Sequence, residues 1–371
     1  MKVAIVAGAI APYTHRLYES IVAVSDIELN VLTCTETEPN RYWAIPQATR
    51  YTRKTLHGLR YHLNDLRHIY LNPSVVPELA RLRPGLVLLG GFSPTMLLAA
   101  GYALATRTPI GIVTDGSLES DPGQTSWIHR LARRMVVPRA KLGIGASESS
   151  RQLMMKYGLA PARCYMVPIV PAWTAPAALP GFDQRPFDLL FCGKIDDYKG
   201  ALFFADVAAR CKYKLGHLRV RVAGNGPRRD ELETRLRDSG IDYQFDGFLQ
   251  QEQLAEAYSS AKLFLFPSRT DAWGLVANEA IQCGTPVVAS PHAVSSIELV
   301  AAYGAGVVRP LDVQAWSEEV VRLLSFPQQW AALQANHPRA REFFAMERSV
   351  AAFKTAVARI GQDNPTTAIA G

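Results

Sequence analysis

Residues 266–290 read FPSRTDAWGLVANEAIQCGTPVVAS. An apolar strand over 262–266 runs into Pro267, which ends it because proline has no N–H to give a sheet ladder. A second apolar strand, over 286–289, closes the segment. Between them lie a glycine-bearing loop, 271–275, and a short helix over about 277–283, stopped by Gly284. Strand, loop, helix and strand make one parallel crossover unit. The helix N-terminus presents unpaired N–H groups to the loop, so an anion could dock there. Asp271 and Glu279 stand eight residues apart. One lies in the loop and the other on the first turns of the helix, so both can face one cleft.

The 371 residues exceed the size at which a single core keeps growing, so two domains are expected. With 48% apolar and 20% charged residues the chain is globular. Its five cysteines, Cys34, Cys164, Cys192, Cys211 and Cys283, form no C-x-x-C pair and read as reduced thiols of a cytoplasmic protein. The first residues run directly into a strand, without a secretory signal, and the apolar window 96–105 is too short to span a bilayer. Charge is uneven. Residues 1–180 carry 19 Lys and Arg against 11 Asp and Glu, net +8, whereas residues 181–371 carry 21 against 22. The excess gathers at Arg50, Arg53, Lys54, Arg60 and Arg67, and at Arg130, Arg133, Arg134, Arg139 and Lys141. It is either a solvated basic surface or a seat on anionic lipid headgroups. No zinc finger, helix-turn-helix or RNP-like string supports a nucleic-acid partner.

The first half alternates strands and helices. Strands are expected over 3–7, 27–34, 86–89, 109–114 and 142–146, with helices over 14–24, 77–82, 94–106, 126–136 and 147–157. That alternation predicts a parallel, doubly wound sheet, whose ligands sit beyond the strand C-terminal ends. Gly8, Gly90, Gly91 and the string Thr114-Asp115-Gly116 are therefore expected along one edge. Gly8 suits close approach of a ligand to the backbone, but no G-x-G-x-x-G follows the first strand, which removes a dinucleotide fingerprint. Asp115 is read either as an Asx turn before Gly116 or as a group in the cleft. His129 lies among arginines and is expected to face solvent.

Six prolines and glycines between 168 and 186 predict a hinge-like connector with a boundary near 180. A new strand, 187–192, then leads into Gly193-Lys194-Ile195-Asp196-Asp197-Tyr198-Lys199-Gly200 and a helix over 201–210. Two lysines five residues apart at a helix start can neutralise a departing diphosphate without a metal ion. Strands over 218–223 and 241–245 follow, the first ending in Gly224-Asn225-Gly226-Pro227 and the second in Asp246-Gly247-Phe248. A helix over 298–303, a strand over 304–308 and helices over 315–324 and 339–360 finish the chain.

Taken together these strings resemble the retaining nucleotide-sugar glycosyltransferases of group 1 (family four), several of which act in bacterial surface polysaccharide synthesis. Their pattern PS-x-x-E-x-[FW]-G-L-x-x-x-E-A-x-x-x-G-x-P-V-[IV]-A is matched at Pro267, Ser268, Trp273, Gly274, Leu275, Glu279, Ala280, Gly284, Pro286, Val287 and Ala289. Asp271 replaces the usual Glu. The family's G-R-x-x-x-x-K-G is matched at Gly193, Lys199 and Gly200, with Lys194 in the Arg place. The string APYTHRLYESI is similar to the family's opening loop, which faces the cleft and here carries Tyr13. The His that many relatives place near Thr114-Asp115-Gly116 is missing.

The resemblance implies the GT-B architecture, an α/β fold of two doubly wound, parallel-sheet (Rossmann-like) domains facing a cleft. The expected division is 1–180 on the acceptor side, 181–340 binding the nucleotide sugar, a helix over 341–360 crossing back, and a disordered tail over 361–371. It implies transfer of a hexose, with retention, from a UDP-sugar or secondly GDP-mannose to a saccharide or lipid-linked saccharide. Lys199 and Lys194 would steady the diphosphate. Asp271, Gly274 and Leu275 would hold the sugar and its phosphate. Glu279 would take the ribose hydroxyls, and Gly193, Gly8 and Phe248 would complete the donor site, Phe248 beside the base unless it is a core residue. Asp115 and Tyr13 would line the acceptor side. No metal or other cofactor is expected, and the protein is expected in the cytoplasm, free or at the inner face of the membrane. A nucleotide-sugar epimerase of the same shape and a non-catalytic sugar-nucleotide binder remain as alternatives, with a nicotinamide oxidoreductase behind them.

Overall fold

A computed structural model describes residues 1–38, 43–64 and 67–362. The chain divides into two compact units, Met1–Ala172 together with Met346–Gly371, and Trp173–Ala345. The tail expected over 361–371 falls, from 363 on, outside the described residues.

The first unit runs β1 (Lys2–Ala7), α1 (Pro12–Ala23), β2 (Glu28–Thr33), β3 (Thr52–Thr55), β4 (Leu59–Asn64), β5 (Arg67–Leu71), α2 (Val75–Leu82), β6 (Leu86–Leu89), α3 (Pro94–Ala105), β7 (Ile110–Thr114), α4 (Trp127–Val136), β8 (Leu142–Gly145), α5 (Glu148–Lys156) and β9 (Cys164–Met166). Seven of the strands form one sheet in the order β3-β2-β1-β6-β7-β8-β9, with every neighbour parallel. The strands β4 and β5 make a separate antiparallel ribbon. Both faces of the sheet are covered, so its inner strands, such as β1 and β6, are apolar runs rather than alternating, while the edge strand β3 (TRKT) is polar. Ala4, Val6, Val87 and Leu89 point into one core with Val75, Leu79, Met96 and Ala99 from α2 and α3. Val3, Ile5, Leu86 and Leu88 point into the other, which α1 fills with Tyr18 and Ile21.

The second unit runs β10 (Phe187–Cys192), α6 (Ala201–Leu215), β11 (Arg219–Ala223), α7 (Arg229–Asp238), β12 (Asp242–Gly247), α8 (Gln251–Ser259), β13 (Ala261–Phe266), α9 (Leu275–Gln282), β14 (Val287–Ala289), β15 (Gly306–Val308), α10 (Val313–Ser325), α11 (Pro327–Gln334) and α12 (His337–Phe343). Its six strands are parallel in the order β12-β11-β10-β13-β14-β15. Counted along each sheet, the second unit has the doubly wound order 3-2-1-4-5-6 and the first has the same order with a seventh strand added at its edge. Each therefore has a switch point where successive connections leave to opposite faces of the sheet. These points lie between β1 and β6 and between β10 and β13.

Two expectations are corrected. The single helix read over 339–360 is two: α12 stops at Phe343, and α13 begins afresh as Met346–Gln362. The sequence there holds no glycine or proline. The break comes from packing, because Phe344 is buried against Trp273, Tyr303 and Phe343 with ring centroids 5.5, 6.3 and 5.0 Å apart. Only α13 returns to the first unit. Val350, Phe353, Val357 and Ile360 share one face of it and join the core of β1 and α1, and Ser349 Oγ donates to Pro168 O at 2.8 Å.

The proline-rich connector is the second correction. It is no free hinge around 180: the second unit begins at Trp173, and the residues after it dock on that unit. Arg185 is the anchor. Its Nη1 donates to Ala261 O at 2.8 Å and to Thr285 Oγ1 at 2.7 Å, its Nη2 to Gly284 O at 3.1 Å and Cys283 O at 3.2 Å, and its Nε to Pro180 O at 3.1 Å. A buried guanidinium is here satisfied by carbonyl oxygens, two of them just past the end of α9, where the helix dipole is negative. Burial lowers its pKa to about 10, so it stays charged at neutral pH.

Replacing Arg185 with Met should destabilise the second unit by about 3–5 kcal/mol, the scale of removing one partner from a buried charged network. Urea unfolding should show a lower midpoint at unchanged slope. A loss under about 1 kcal/mol would mean that water serves these carbonyls equally well.

Candidate active site

Five loops meet at the C-terminal edge of the second sheet. Gly193 N–H donates to Ala223 O at 2.9 Å, Ile195 N–H to Asn225 O at 2.9 Å and Gly224 N–H to Gly247 O at 2.7 Å, so the loops after β10, β11 and β12 are laced together. On the other side of the switch point, Arg269 N–H donates to Tyr198 O at 2.7 Å and Asp271 N–H to His292 O at 3.1 Å, which ties in the loops after β13 and β14.

Two glycines let these loops close. Gly200 caps α6 at φ 71°, and a Cβ there would stand 2.2 Å from Pro267 O. Gly274 caps α9 at φ 93°, and a Cβ there would meet the Phe266 ring and Ser295 Oγ, both at 2.7 Å. Any larger residue would strain the backbone and push two loops apart. Ser295 Oγ donates to Gly274 O at 3.0 Å and fixes the start of α9. That helix begins at Leu275, two residues before the sequence suggests.

Residues 72 apart in the chain come together here. Lys199 Nζ lies 2.5 Å from Asp271 Oδ2, with side chains 32% and 19% exposed. Asp196 steers both lysines: its Oδ1 accepts from Lys199 N–H at 2.8 Å and its Oδ2 stands 3.7 Å from Lys194 Nζ. Glu279, on the second turn of α9, is buried and accepts a hydrogen bond from Tyr258 Oη at 2.9 Å. Burial raises its pKa to about 7. Cys192, the last residue of β10, has its thiol pushed up to about 12 by burial and by the nearby Glu279 carboxylate. Glu279 thus sits at the switch point itself. Phe248 follows Gly247 and is exposed, which settles against a core role for it. Among the described residues no group of three or more His, Cys, Asp or Glu is placed to hold a metal ion.

Two contributors carry no signature in the local sequence. Tyr258 is 21 residues from Glu279, and Ser295 is 21 from Gly274. Asp196 had a signal, an acid midway between two lysines at a helix start, that was passed over.

Gly8, Tyr13 and Asp115 belong to the first unit, not to this edge. Gly8 lies after β1 under the Tyr70 ring. Tyr13 and Asp115 line a cavity of about 260 Å³ at the C-terminal edge of the first sheet, with Ile10, Leu17, Trp43 and Met346 among its apolar walls and Thr14, Glu38 and Thr114 among its polar groups. Asp115, read either as an Asx turn or as a group in the cleft, lines this cavity. Gly116 N–H goes to Thr114 Oγ1 at 3.0 Å and Ser117 N–H to Ser120 Oγ at 2.8 Å, which leaves Asp115 at the cavity wall. His129 is exposed on α4.

The raised pKa of Glu279 has a sign. A carboxyl that is easier to protonate folded than unfolded stabilises the fold below its unfolded pKa and loses that contribution as pH rises to about 7. Glu279→Gln keeps an acceptor for Tyr258 and removes the buried charge. It should stabilise the protein by about 2–3 kcal/mol at pH 8 and by almost nothing at pH 4.5. Thermal unfolding at the two pH values checks this, and equal effects at both would refute it.

Comparison with known proteins bears on the fold and on residues 186–325. Residues 186–325 match the family model described as glycosyl transferases group 1. The chain is 24% identical over 238 residues to the sulfoquinovosyl transferase of Arabidopsis thaliana, covering 59% of this chain and 45% of that one. It is 30% identical over 171 residues to the D-inositol 3-phosphate glycosyltransferase of Pseudarthrobacter chlorophenolicus, covering 42% of this chain and 41% of the relative. The chain thus spans about half the length of these curated relatives. In fold it is similar to HepE of Anabaena, solved in complex with UDP, with a TM-score of 0.74 at 16% identity over 97% of this chain and 100% of that one. The fold is GT-B, and residues 186–325, which carry both site lysines, Asp271 and Glu279, are the part that matches the glycosyl transferases group 1 model.

Proposed function

We propose that the chain is a retaining glycosyltransferase that moves a hexose from a nucleotide sugar, a UDP-sugar before GDP-mannose, to a saccharide or lipid-linked saccharide of a surface polysaccharide or glycoconjugate. The observation that carries this reading is the meeting of Lys199 with Asp271 at the β10–β13 switch point, with Glu279 buried behind them. The match of residues 186–325 to group 1 supports it, and the complex of HepE with UDP supports uridine as the base.

Each role follows from chemistry. Lys199 and Lys194 neutralise the diphosphate as the bond between the anomeric carbon and the phosphate oxygen breaks and its electron pair stays on the phosphate. Lysine meets that charge as a point, without the two-pronged fork of arginine. Gly274 and Leu275 offer the sugar phosphate the N-terminus of α9. Asp271 accepts from hydroxyls of the transferred sugar once Lys199 has turned to the phosphate. Glu279 takes the ribose hydroxyls and Phe248 lies against the base. The acceptor hydroxyl oxygen forms the new bond on the same face, and its proton passes to the departing phosphate. No metal ion or covalent nucleophile takes part. In the first unit, Tyr13 and Asp115 at the cavity hold the acceptor, so that Asp115 stands where relatives place a His. The enzyme works in the cytoplasm, at the inner face of the membrane when its acceptor is lipid-linked.

Calorimetry with UDP, GDP and NAD, on wild type and Lys199→Ala, comes first. Binding of UDP that the variant loses is the expected result. Binding of NAD alone, or of none, would sink the assignment. With a UDP-sugar and an acceptor, Lys199→Ala should lower kcat by about 10²–10³, the scale of one lost electrostatic donor. UDP release only with an acceptor marks a transferase. Conversion of the donor without one marks an epimerase, and neither marks a binding protein.

A further inference from the structure

Helix α4 buries Ala132 and Val136 in the first unit and turns its remaining large apolar side chains outward. Trp127 is 71% and Ile128 60% exposed, and Leu131 and Met135 are nearly half exposed. At about 100° per residue these four fall within one arc of roughly 100° on the helix surface. Single exposed apolar residues need no explanation, but a stripe of four on one helix does.

The charges beside the stripe say what covers it. Arg130 and Arg134 run along one edge, and Arg139 and Lys141 follow the helix. None of these four is in an ion pair among the described residues, and α4 itself carries no acid. The inward arginine is different: Arg133 lies 3.4 Å from Asp121 and stacks 4.7 Å over the Phe92 ring, so it belongs to the fold. A second copy of this chain laid on the stripe would bring arginine against arginine. A layer of anionic headgroups would neutralise them while the acyl region received the apolar residues. Trp127 suits that boundary, since its ring is apolar and its N–H polar. Ten residues are too few to cross a bilayer, so the helix would lie in the plane of the interface.

We propose that α4 is an interfacial helix that seats the first unit on an anionic lipid bilayer. Trp127, Ile128, Leu131 and Met135 enter the headgroup–acyl boundary, and Arg130, Arg134, Arg139 and Lys141 lie against lipid phosphates. The connection into α4 leaves the end of β7 through Thr114 and Asp115, which line the cavity of the first unit. The start of the helix is therefore on the same edge of the sheet as that cavity, and an acceptor carried by a lipid is delivered to that edge. The seat itself does not depend on the transferase reading, because lipid binding is measured without donor or acceptor.

The full chain is sedimented with vesicles of phosphatidylcholine alone and of phosphatidylcholine mixed with phosphatidylglycerol. Wild type should bind the mixed vesicles, more weakly as salt rises, and bind the neutral ones little. Arg134→Gln should weaken binding about fivefold and Leu131→Asp more than tenfold, while both keep the circular dichroism and UDP binding of wild type. The emission of wild type should shift to the blue on mixed vesicles, and Trp127→Phe should lose that shift. Equal binding to both vesicle types would overturn the proposal. So would full binding by Leu131→Asp, or self-association through this face that leaves the vesicles unbound.

Discussion

Strand β10 is paired on both sides, with β11 and with β13, and the connections leave it toward opposite faces of the sheet. No crossover helix covers the gap above its C-terminal end. Polar loops must fill that gap, and their backbone groups must find partners, because a buried unpaired N–H or C=O costs about as much as a lost hydrogen bond. The interloop bonds at Gly193, Gly224, Arg269 and Asp271 meet that demand. Once they are made, the side chains of Lys199 and Asp271 have little choice but to meet. The pair is partly exposed, 32% at Lys199 and 19% at Asp271, and an ion pair near the surface adds about 0–1 kcal/mol to stability. It therefore opens readily, and Lys199 is able to leave its carboxylate for an incoming anion.

Glu279 shows the opposite economy. Its carboxyl lies in a dry place with Tyr258 as the donor it is shown to have, and burial makes its ionised form unfavourable. A residue chosen for stability at that position would be neutral. The structure holds the strained charge by fixing α9 at both ends. Ser295 and Gly274 set its start, and at its far end Arg185 takes Cys283 O and Gly284 O while Arg341 Nε takes Ile281 O at 3.0 Å. Positive charge at a helix C-terminus is favourable, so the two arginines stabilise the same helix that the burial of its acid destabilises.

The parts legible in the sequence are those with local causes. Apolar runs bounded by glycine and proline gave both doubly wound sheets, and the spacing of Asp271, Gly274 and Glu279 placed one loop and one helix start. What the sequence hid has causes elsewhere in the chain. The contact of Lys199 with Asp271 spans 72 residues, and nothing near Arg185 announces a network reaching residues 73 to 100 positions away. The break between α12 and α13 has no glycine or proline because Phe344 makes it by packing. In each case a local preference was overridden by a partner that the order of residues does not reveal.

The two units use one topology for different chemistry. Both have a switch point at the C-terminal edge of a parallel sheet, where the backbone is forced to leave room. In the second unit that room is edged by Lys194, Lys199, Asp196 and Asp271, groups suited to phosphate and sugar hydroxyls. In the first it is a mainly apolar cavity with Tyr13 and Trp43 on its walls. Yet the first unit carries the net positive charge of the chain, and the second is close to neutral. If the excess cations served the bound nucleotide, they would cluster where the site lysines are. They lie instead in the other unit, and five of them fall within residues 130–141, on and just after the helix whose apolar stripe faces outward. Long-range attraction for an extended anionic surface is thus strongest around α4, while the cluster at Lys199 and Asp271 can act only at short range.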